Sequence, residues 1–337
     1  MAIYRYKISK IIMEATQVST PILEEVMQGL SDTPKHISSK FFYDEKGSEI
    51  FRKIMRMPEY YPTISEAEIF EIHKASLTDF FCKQCEHVDL VELGAGDGAK
   101  TRILLKYMYE NNINFRYIPV DISVESNRKL TAELKAKFPY LTVIEKNGDY
   151  FDMIEELSTE YKNRKIIIFL GSNLGNYNRE QSIEFLNHMS GMMSANDKLL
   201  IGLDLKKDPE VILRAYNDPK GHTRDFNLNL LARFNRELGA DFDLSSFKHV
   251  PAYDPIDGAA KSYLISLMKQ EVHFKKANQS IRFDKWEPIF TEMSQKYDMK
   301  MINDFARESG FAIEENFFDS RGYFVNSLWR KKGKGLE

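Results

Sequence analysis

The stretch VELGAGDGAKT, residues 91–101, carries three glycines at alternate positions, directly after an apolar run and before a helix-like segment. Glycine tolerates left-handed backbone conformations and, having no side chain, lets a ligand approach the main chain closely. Open α/β sheets bind their ligands at such loops, where a strand ends and a helix begins. The glycines alone leave three ligands open: a dinucleotide, a nucleotide phosphate, or a molecule without phosphate.

The spacing of the glycines separates these ligands. A dinucleotide loop has the pattern GxGxxG, and the last of Gly94, Gly96 and Gly98 comes one residue too early for it. A P-loop requires glycine directly before its lysine, whereas Lys100 follows an alanine. S-adenosylmethionine has no phosphate, and a short E-x-G-x-G loop lets the backbone pack against its methionine end. Lys100 is then placed to pair with the methionine carboxylate; the alternative is a solvated helix lysine.

Acidic residues follow the next two predicted strands. Asp121 ends YIPVDIS, and one carboxylate can accept hydrogen bonds from both hydroxyls of an adenosine ribose. Asp149 in NGDYFD can accept from an adenine amino group with Tyr150 beside the ring, although aspartate after glycine is also a common turn residue. The glycine loop and these acids at successive strand ends together favour an S-adenosylmethionine methyltransferase over a dehydrogenase.

From about Val88 onward, strand-like and helix-like segments alternate. The apolar strands are separated by segments with helical spacing, and Ser123 is a predicted helix cap. The strand-like stretches are VDLVELG, FRYIPVDIS, LTVIEKNGD, RKIIIFLGSNLGN and DKLLIGLDL. This pattern is typical of a parallel sheet covered by helices on both faces, so we predict an α/β fold with a Rossmann-like core.

The flanking segments predict a second domain. Residues 1–75 are mostly helical in pattern, and within 206–295 the stretches SYLISLMKQEVHF and QSIRFDKWE alternate like antiparallel strands. The tail, 296–337, has the pattern of a helix followed by two strands. We predict a core at 76–205 that is completed by the tail, and a second α+β domain formed by the two other segments.

The overall composition limits the possible partners. The 337 residues are 43% hydrophobic and 29% charged, with a formal net charge of −3, which disfavours a broad nucleic-acid-binding face. The sequence contains no run of 18 or more apolar residues, which a membrane span would require. The N-terminus lacks the apolar region of a secretory signal. We expect a cytoplasmic monomer without nucleic-acid or membrane partners.

The two cysteines of the chain, Cys82 and Cys85 in CKQC, lie close to His87. One interpretation is a redox pair or half of a zinc site, and the other is two ordinary thiols at the end of a helix. A structural zinc needs four ligands, and no second Cys/His pair follows at zinc-finger spacing. We therefore predict no metal.

Motifs outside the glycine loop carry a more specific likeness. From about Thr33 to the C-terminus, the sequence resembles the histidine-specific Nα-methyltransferases of ergothioneine biosynthesis. The segments that carry the resemblance are TPKHISSKFFYDEKGSEIF, MPEYYPTISEAEIF, FLGSNLGN, RAYNDPKGHTRDFNLNLLARFNRELGADFD and FTEMSQKY. The resemblance implies a class I methyltransferase core with a substrate-binding domain. It also implies S-adenosyl-L-methionine as methyl donor, S-adenosyl-L-homocysteine as product, and L-histidine as an acceptor that is methylated up to three times to hercynine.

The resemblance implies functional residues as well. The implied cofactor contacts are Gly94, Gly96, Lys100, Asp121, Asp149 and Tyr150. The implied substrate contacts are Tyr60, Asn176, Tyr216, Glu292, Met293 and Ser294. Tyr43 and Asn176 are the implied catalytic residues.

These residue types suit methylation of an α-amine. The attacking nitrogen must present a lone pair, and Asn176 can accept one N–H and thereby aim it. Tyr43 can orient the amine or relay its proton through water. Tyr60 and Tyr216 can hydrogen-bond the substrate carboxylate, and aromatic rings stabilise a quaternary ammonium product through cation–π attraction.

Glu292 and Ser294 are expected to select the side chain. A carboxylate on one imidazole nitrogen and a hydroxyl on the other read both edges of histidine; the alternative for Glu292 is a surface helix residue. Tyr263 in KSYLISL stands about where relatives often have a methionine. This departure leaves another aromatic amino acid, such as tryptophan or a derivative, as the alternative substrate.

Two other classes of protein fit the sequence less well. Nucleic-acid methyltransferases that act on exocyclic amines of DNA carry an Asn/Asp-Pro-Pro-Tyr/Phe loop after the fourth strand, where this chain has GSNLGN. A non-catalytic binding module would have no need of intact cofactor and amine motifs. Both classes are therefore disfavoured.

Overall fold

The computed structural model describes residues 20–83, 85–160 and 162–333, which pack into two units. The smaller unit consists of the described residues up to Met55, Tyr216–Ala252 and Lys261–Glu292. The larger unit consists of the described parts of Arg56–Ala215, Tyr253–Ala260 and the segment from Met293 onward. Residues 1–19, which are predicted to belong to the second domain, lie outside the described residues.

Helices and strands alternate through most of the chain. In chain order, the α-helices are α1 (Thr20–Ser31), α2 (Glu45–Ile54), α3 (Tyr61–Cys82), α4 (Thr101–Glu110), α5 (Val124–Lys137), α6 (Tyr150–Glu160), α7 (Arg179–Met192), α8 (Pro209–Tyr216), α9 (His222–Leu238) and α10 (Met299–Glu308). The strands are β1 (Lys35–His36), β2 (Val88–Leu93), β3 (Phe115–Asp121), β4 (Thr142–Val143), β5 (Lys146–Asn147), β6 (Arg164–Phe169), β7 (Lys198–Asp204), β8 (Phe247–Asp254), β9 (Ala259–Ser266), β10 (Gln270–Phe274), β11 (Gln279–Phe283), β12 (Pro288–Gln295), β13 (Phe311–Phe318) and β14 (Phe324–Lys331). Short 3-10 helices cover Ser39–Phe42, Asn173–Asn176 and Leu244–Ser246.

The larger unit is built on an eight-stranded sheet with the order β13-β14-β7-β6-β2-β3-β4, in which β5 also pairs with β3. The strands from β7 to β4 run parallel, whereas β14 is antiparallel to both β7 and β13. Neighbouring residues of β2 point to opposite faces, so Leu90 and Val91 belong to two different hydrophobic clusters, each covered by helices. The predicted α/β fold with a Rossmann-like core is confirmed, as are the helix and two strands of the tail.

Two predicted features of the core, the third strand and the helix cap at Ser123, can be compared with the structure. The third predicted strand, LTVIEKNGD, forms only the two-residue strands β4 and β5, and the pairing with β3 is interrupted at residues 144 and 145. The predicted cap is confirmed, since the Ser123 hydroxyl accepts a hydrogen bond from the amide of Ser126 at the start of α5.

The division between the units lies elsewhere than the predicted domain boundaries. Residues 56–75 and 206–215 were expected in the second domain, but they pack within the larger unit. For α3 the physical reason is its apolar face: Ile69 and Phe70 are fully buried in the same hydrophobic cluster as β2 and α4. The short segments 253–260 and 293–295 also belong to the larger unit.

The smaller unit contains helices and β-strands, of which β1 and β12 pair in parallel. Phe42 stacks on Phe226 of α9 with ring centroids 4.4 Å apart, and Phe51 of α2 packs against the same ring at 5.6 Å. A four-stranded sheet has the order β1-β12-β9-β8, and β10 and β11 form a separate antiparallel pair. The predicted antiparallel pairing is therefore confirmed for β10 and β11. Within the described ranges, no helix is both long enough and apolar enough to cross a membrane.

Candidate active site

The glycine loop after β2 is held in a conformation that requires glycine. Gly94 has φ +70°, and a Cβ atom there would lie 2.7 Å from the hydroxyl oxygen of Tyr150. Gly96 has φ +55°, and no atom lies within 4 Å of the position of its Cβ. The loop therefore leaves open space directly against the backbone of Gly96, bordered at Gly94 by an aromatic side chain.

Asp121 ties this loop to the end of β3. Its Oδ2 accepts a hydrogen bond from the Gly96 amide at 2.9 Å, and its Oδ1 accepts one from the Ser123 amide at 2.8 Å. Ile122 follows it with 80% of its surface exposed.

Asp149 and Tyr150 stand at the start of α6. The Asp149 carboxylate is exposed and accepts a hydrogen bond from the Phe151 amide at 2.9 Å, which is the turn geometry named as its alternative role. The Tyr150 ring packs edge-on against Phe169 with centroids 5.9 Å apart. Burial raises the pKa of the Tyr150 phenol, and the neighbouring carboxylate of Asp121 raises it further.

Lys100 is held by a residue that sequence reasoning missed. Its ammonium group forms an ion pair with Glu66 of α3, whose carboxylate is fully buried. The two oxygens of Glu66 also accept hydrogen bonds from the Gly171 amide, at 3.1 and 3.0 Å. Because the Lys100 side chain is only 21% exposed, the alternative of a solvated helix lysine is wrong. Glu66 lies on a different helix in a different part of the sequence, so no local pattern identifies it.

A second buried carboxyl group, that of Glu92 in β2, supports the same loop. The hydroxyls of Thr101 and Tyr117 both donate hydrogen bonds to it, the first at 2.6 Å. Burial raises its pKa to about 7. Thr101 is the first residue of α4, so this contact fixes the helix that follows the glycine loop.

Asn176 lies in the loop that follows β6. Gly171 and Ser172 both have left-handed backbone angles, and the 3-10 helix Asn173–Asn176 follows them. The Ser172 hydroxyl accepts a hydrogen bond from the Asp204 amide at 3.0 Å, which anchors the loop to β7. Asn176 itself is exposed. The loop thus presents an exposed amide side chain on a rigid backbone.

Asp204, at the end of β7, is the centre of a buried polar cluster in the larger unit. Tyr61 donates a hydrogen bond to it at 2.8 Å, and Lys207 donates one at 2.5 Å. Lys296 forms an ion pair with it at 2.8 Å and donates a second hydrogen bond, also 2.8 Å long, to the Ser294 hydroxyl. Burial lowers the pKa of Lys207 to about 8. Sequence reasoning named only Ser294 of this group.

Tyr43 belongs to the smaller unit. Its side chain is 49% exposed and packs edge-on against Phe51 and Phe226, with centroids 5.6 and 5.9 Å away. The next residue, Asp44, caps α2 by accepting from the Gly47 amide at 2.6 Å. Asp44 also accepts hydrogen bonds from two residues of α9, Asn229 at 2.9 Å and Arg236 at 2.5 Å.

Glu292 is a half-buried residue of β12. Its alternative interpretation as a surface helix residue is therefore wrong. Tyr263, the departure from the family pattern, lies on β9 with its ring 5.8 Å from that of Phe290. Tyr216 is buried at the end of α8, and Tyr60 is half-buried directly before α3.

The structure divides the predicted site residues between the two units. All the predicted cofactor residues belong to the larger unit, where Gly94 meets Tyr150 and Gly96 meets Asp121. The predicted substrate residues of the larger unit are Tyr60, Asn176, Met293 and Ser294. Those of the smaller unit are Tyr216 and Glu292, and the predicted catalytic residue Tyr43 also belongs to that unit.

The CKQC cysteines are both free thiols. Burial raises the pKa of Cys82, which keeps it in the less reactive thiol form. Cys85 donates a hydrogen bond to the carbonyl of His87 at 2.8 Å. These contacts favour the interpretation of two ordinary thiols.

Comparison with known proteins adds to this geometry. The family model described as histidine-specific methyltransferase, SAM-dependent, matches residues 22–331. Histidine N-alpha-methyltransferase of Mycobacterium tuberculosis is 34% identical over 307 residues, which are 91% of this chain and 94% of that protein. The protein of the same name from Mycolicibacterium smegmatis is 33% identical over 316 residues, 94% of this chain and 97% of the relative. 4-Dimethylallyltryptophan N-methyltransferase of Claviceps purpurea is 24% identical over 213 residues, 60% of this chain and 61% of the relative.

Proposed function

Because the chain belongs to the family of histidine-specific, S-adenosylmethionine-dependent methyltransferases, we propose that it methylates the α-amino group of L-histidine. Up to three transfers give hercynine, in ergothioneine biosynthesis. The observation that carries the proposal is the match of the family model over residues 22–331, since it includes both the cofactor loop and the segment around Glu292. Nearly full-length similarity to two histidine N-alpha-methyltransferases supports it.

The residues of the larger unit fit the proposed methyl donor. Bound S-adenosylmethionine supplies an electrophilic methyl group on a sulfonium centre. Asp121 uses two of its lone pairs on the amides of Gly96 and Ser123; because a carboxylate has about four acceptor positions, it retains capacity for both ribose hydroxyls. Lys100, kept in place by Glu66, retains N–H donors for the methionine carboxylate.

The adenine end requires an apolar surface and a polar edge. We assign the polar edge to Asp149, whose exposed carboxylate can accept from the adenine amino group. Tyr150 is assigned to the ring, together with the exposed Ile122. The raised pKa of Tyr150 keeps its phenol neutral, so that it brings no charge to the glycine loop.

The reacting amine is assigned to Asn176 and Tyr43. An amino acid carries mostly an ammonium group at neutral pH, so a proton must leave before each transfer. Asn176 accepts one N–H of the amine and directs the lone pair without adding a charge, and Tyr43 orients the amine or passes its proton to water. Tyr60 and Tyr216 are assigned to the substrate carboxylate.

The imidazole is assigned to Glu292 and Ser294, with Met293 between them. Both residues belong to β12, two positions apart in the chain. A ring nitrogen that carries hydrogen donates to Glu292, and the other nitrogen meets the Ser294 hydroxyl. Removing either partner leaves a polar group unsatisfied, which is how such sites reject apolar analogues.

The direct test is mass spectrometry of the purified protein incubated with L-histidine and S-adenosylmethionine. We expect products that carry one, two and three additional methyl groups on histidine. Absence of any methylated histidine, in a preparation that binds S-adenosylhomocysteine by calorimetry, would refute the proposal.

A second candidate substrate is tryptophan or a derivative. It is favoured by the aromatic side chain of Tyr263, which packs against Phe290, and by the similarity to a methyltransferase named for a tryptophan derivative. Competition between L-histidine and L-tryptophan in the same assay separates the two. A Glu292→Ala variant should lose histidine activity more than tryptophan activity, because indole does not need both polar partners.

We also propose that the protein acts as a cytoplasmic monomer on a free amino acid, without metal, nucleic-acid or membrane partners. Light scattering after size-exclusion chromatography measures the oligomeric state. A mass of two chains would refute the monomer.

A further inference from the structure

Ser294 has a partner that sets the direction of its hydroxyl group. It lies near the end of β12 and is 8% exposed. Its Oγ accepts a hydrogen bond from the Nζ of Lys296 at 2.8 Å. A hydroxyl has one proton and two lone pairs. Since this contact uses a lone pair, the proton of Ser294 remains to be donated.

Lys296 is fixed as a donor by its surroundings. Its side chain is 1% exposed, and its ammonium group forms an ion pair with Asp204 at 2.8 Å. Asp204 also accepts hydrogen bonds from Tyr61 and Lys207. An ammonium group donates and cannot accept. The direction of the hydrogen bond to Ser294 is therefore settled by chemistry: Lys296 donates and Ser294 accepts.

The cluster also brings positive charge close to Ser294. Two ammonium groups, those of Lys296 and Lys207, contact the same carboxylate, that of Asp204. One of them, Lys296, lies within a hydrogen bond of Ser294, in a part of the larger unit that excludes water. A positive charge in such surroundings disfavours another cation nearby and favours an electron-rich acceptor.

We propose that Lys296 is a positioning residue that makes Ser294 a hydrogen-bond donor and thereby restricts the side-chain site to a neutral ring with an unprotonated nitrogen. The inference rests on the proposed function, in which Ser294 contacts the imidazole. Neutral imidazole has one N–H for Glu292 and one lone pair for Ser294. Imidazolium has no lone pair and carries a charge, and indole has an N–H but no acceptor nitrogen.

The two residues at the imidazole push its protonation in opposite directions. A carboxylate such as Glu292 favours the charged ring and would raise the pKa of a bound imidazole above its ordinary value of about 6.5. A serine that donates, backed by Lys296, favours the neutral ring and lowers that pKa. The sign of the shift in bound histidine therefore reveals which residue dominates.

Several titratable groups lie around Lys296 and its partner Asp204, besides Glu292 at the ring itself. They include Tyr61 of α3, Lys207, Tyr253 of β8 and Tyr297. Burial raises the pKa of Tyr253 and Tyr297, and it lowers that of Lys207 only to about 8. The ring ¹⁵N resonances report protonation of the bound imidazole directly, whichever neighbouring group titrates.

The first experiment is nuclear magnetic resonance of ring-¹⁵N histidine bound to the wild-type protein with S-adenosylhomocysteine, titrated from pH 5.5 to 8. We expect the bound ring to remain neutral at pH values where free histidine is protonated, with a bound pKa at least one unit below the free value. A bound pKa above the free value would overturn the role of Lys296 and leave the proposed function intact. Failure of histidine to bind at all would overturn both.

The second experiment is a double-mutant cycle with Lys296→Met and Ser294→Ala. Because Lys296 acts through Ser294, we expect Lys296→Met to raise the KM for histidine about tenfold at pH 8 with little change in kcat. In the Ser294→Ala background the same substitution should have less than a threefold effect. If the fold-increase in KM of the double variant equals the product of those of the single variants, the two residues act independently and the proposal is overturned.

The matched control is Lys198→Met, which removes another largely buried lysine of the larger unit, one that pairs with Glu314. We expect it to leave the KM for histidine and its pH profile unchanged.

Lys296→Met should also change the pH dependence of binding. The affinity for histidine should fall less between pH 7 and 5.5 than in the wild type, because the variant no longer repels imidazolium. Calorimetry with S-adenosylhomocysteine identifies variants that keep the fold. If Lys296→Met does not fold, the sign of the bound pKa in the wild type still decides.

Discussion

Lys100 owes its position to a carboxylate that lies 34 residues earlier in the chain. Glu66 is fully buried and faces Gly202 so closely that a Cβ there would be 2.1 Å from its Oε1. A buried charge is tolerated only when it is paired and hydrogen-bonded, and Lys100 with the Gly171 amide provides both. Glu66 therefore keeps the ammonium group of Lys100 next to the glycine loop rather than in solvent.

The substitution Glu66→Gln should weaken binding of S-adenosylhomocysteine about tenfold, because the lysine loses the charge that orients it. Isothermal calorimetry measures the change. The matched control is Glu71→Gln on the exposed side of the same helix, where the carboxylate pairs with Lys74 one turn away. Equal affinities for the wild type and Glu66→Gln would contradict the positioning role.

Glu92 gives the fold a pH dependence of defined sign. Its pKa rises from 4.5 in the unfolded chain to about 7 in the folded protein, because burial disfavours the carboxylate. The folded state therefore binds the proton more tightly, and the contribution of Glu92 to stability is present below pH 4.5 and is lost as pH rises towards 7. The loss is on the order of 3 kcal/mol, at 1.36 kcal/mol per pKa unit.

Glu92→Gln removes this titration. We expect the free energy of unfolding of the variant minus that of the wild type to become more positive as the pH increases from 5 to 7.5. Urea unfolding at several pH values measures the difference, in which the titration of all other groups cancels. If the free energy of unfolding of the variant minus that of the wild type stays constant or becomes more negative as pH rises, the Glu92 carboxyl is not protonated in the fold.

At the scale of elements, Asp44 connects α2 to α9. It caps the first helix through the Gly47 amide and accepts from Asn229 and Arg236 on the second. Tyr43 directly precedes it, so the backbone of the proposed catalytic tyrosine is held by the same contacts. The ring of Tyr43 packs against Phe226, which is also on α9.

The substitution Asp44→Ala should cost about 2–3 kcal/mol of stability, from the lost cap and the hydrogen bonds to α9. Thermal and urea unfolding measure it. Asp225→Ala is the control, because Asp225 is also on α9 but pairs with the adjacent Arg224 in an exposed position. A loss no larger than that of the control would mean that Asp44 does not hold the two helices together.

Elements were predictable from the sequence where one physical rule governed them. The buried strand VDLVEL and the capped helix after Ser123 follow from local apolar patterning and capping. The residue Glu66 did not follow, since its role depends on a lysine that tertiary packing brings to it. Lys296 was missed for the same reason: it follows β12 directly, and the local sequence does not reveal that Asp204 and Ser294 are its partners.

At the scale of the whole molecule, the predicted cofactor residues all belong to the larger unit, whereas predicted substrate residues occur in both. Residues 56–75 pack within the larger unit. The partner surface of α3 is not readable from periodicity, because this helix carries apolar residues on more than one side. The glycine loop, by contrast, lies at the end of a parallel strand, as the α/β pattern predicts.

This distribution predicts where S-adenosylhomocysteine alone protects the chain. Hydrogen exchange should slow by up to about 100-fold at residues 94–98, at 121–123 and at the start of α6, with ligand at about 100 times its Kd. Helices α2 and α9 of the smaller unit should exchange at unchanged rates. Mass spectrometry of peptides from the exchange reaction measures both. Protection confined to the smaller unit would contradict the assignment of the cofactor residues.

The position of β14 has a consequence for synthesis on the ribosome. This strand pairs with β7 on one side and β13 on the other, so residues 324–331 must leave the exit tunnel before the sheet of the larger unit can close. The smaller unit, whose last segment ends at Glu292, is synthesised earlier. A nascent chain that has not yet reached β14 exposes the edge of β7, whose sequence KLLIGLD is apolar along most of its length. An open apolar edge invites pairing with other chains, and β14 covers this edge when it pairs with β7.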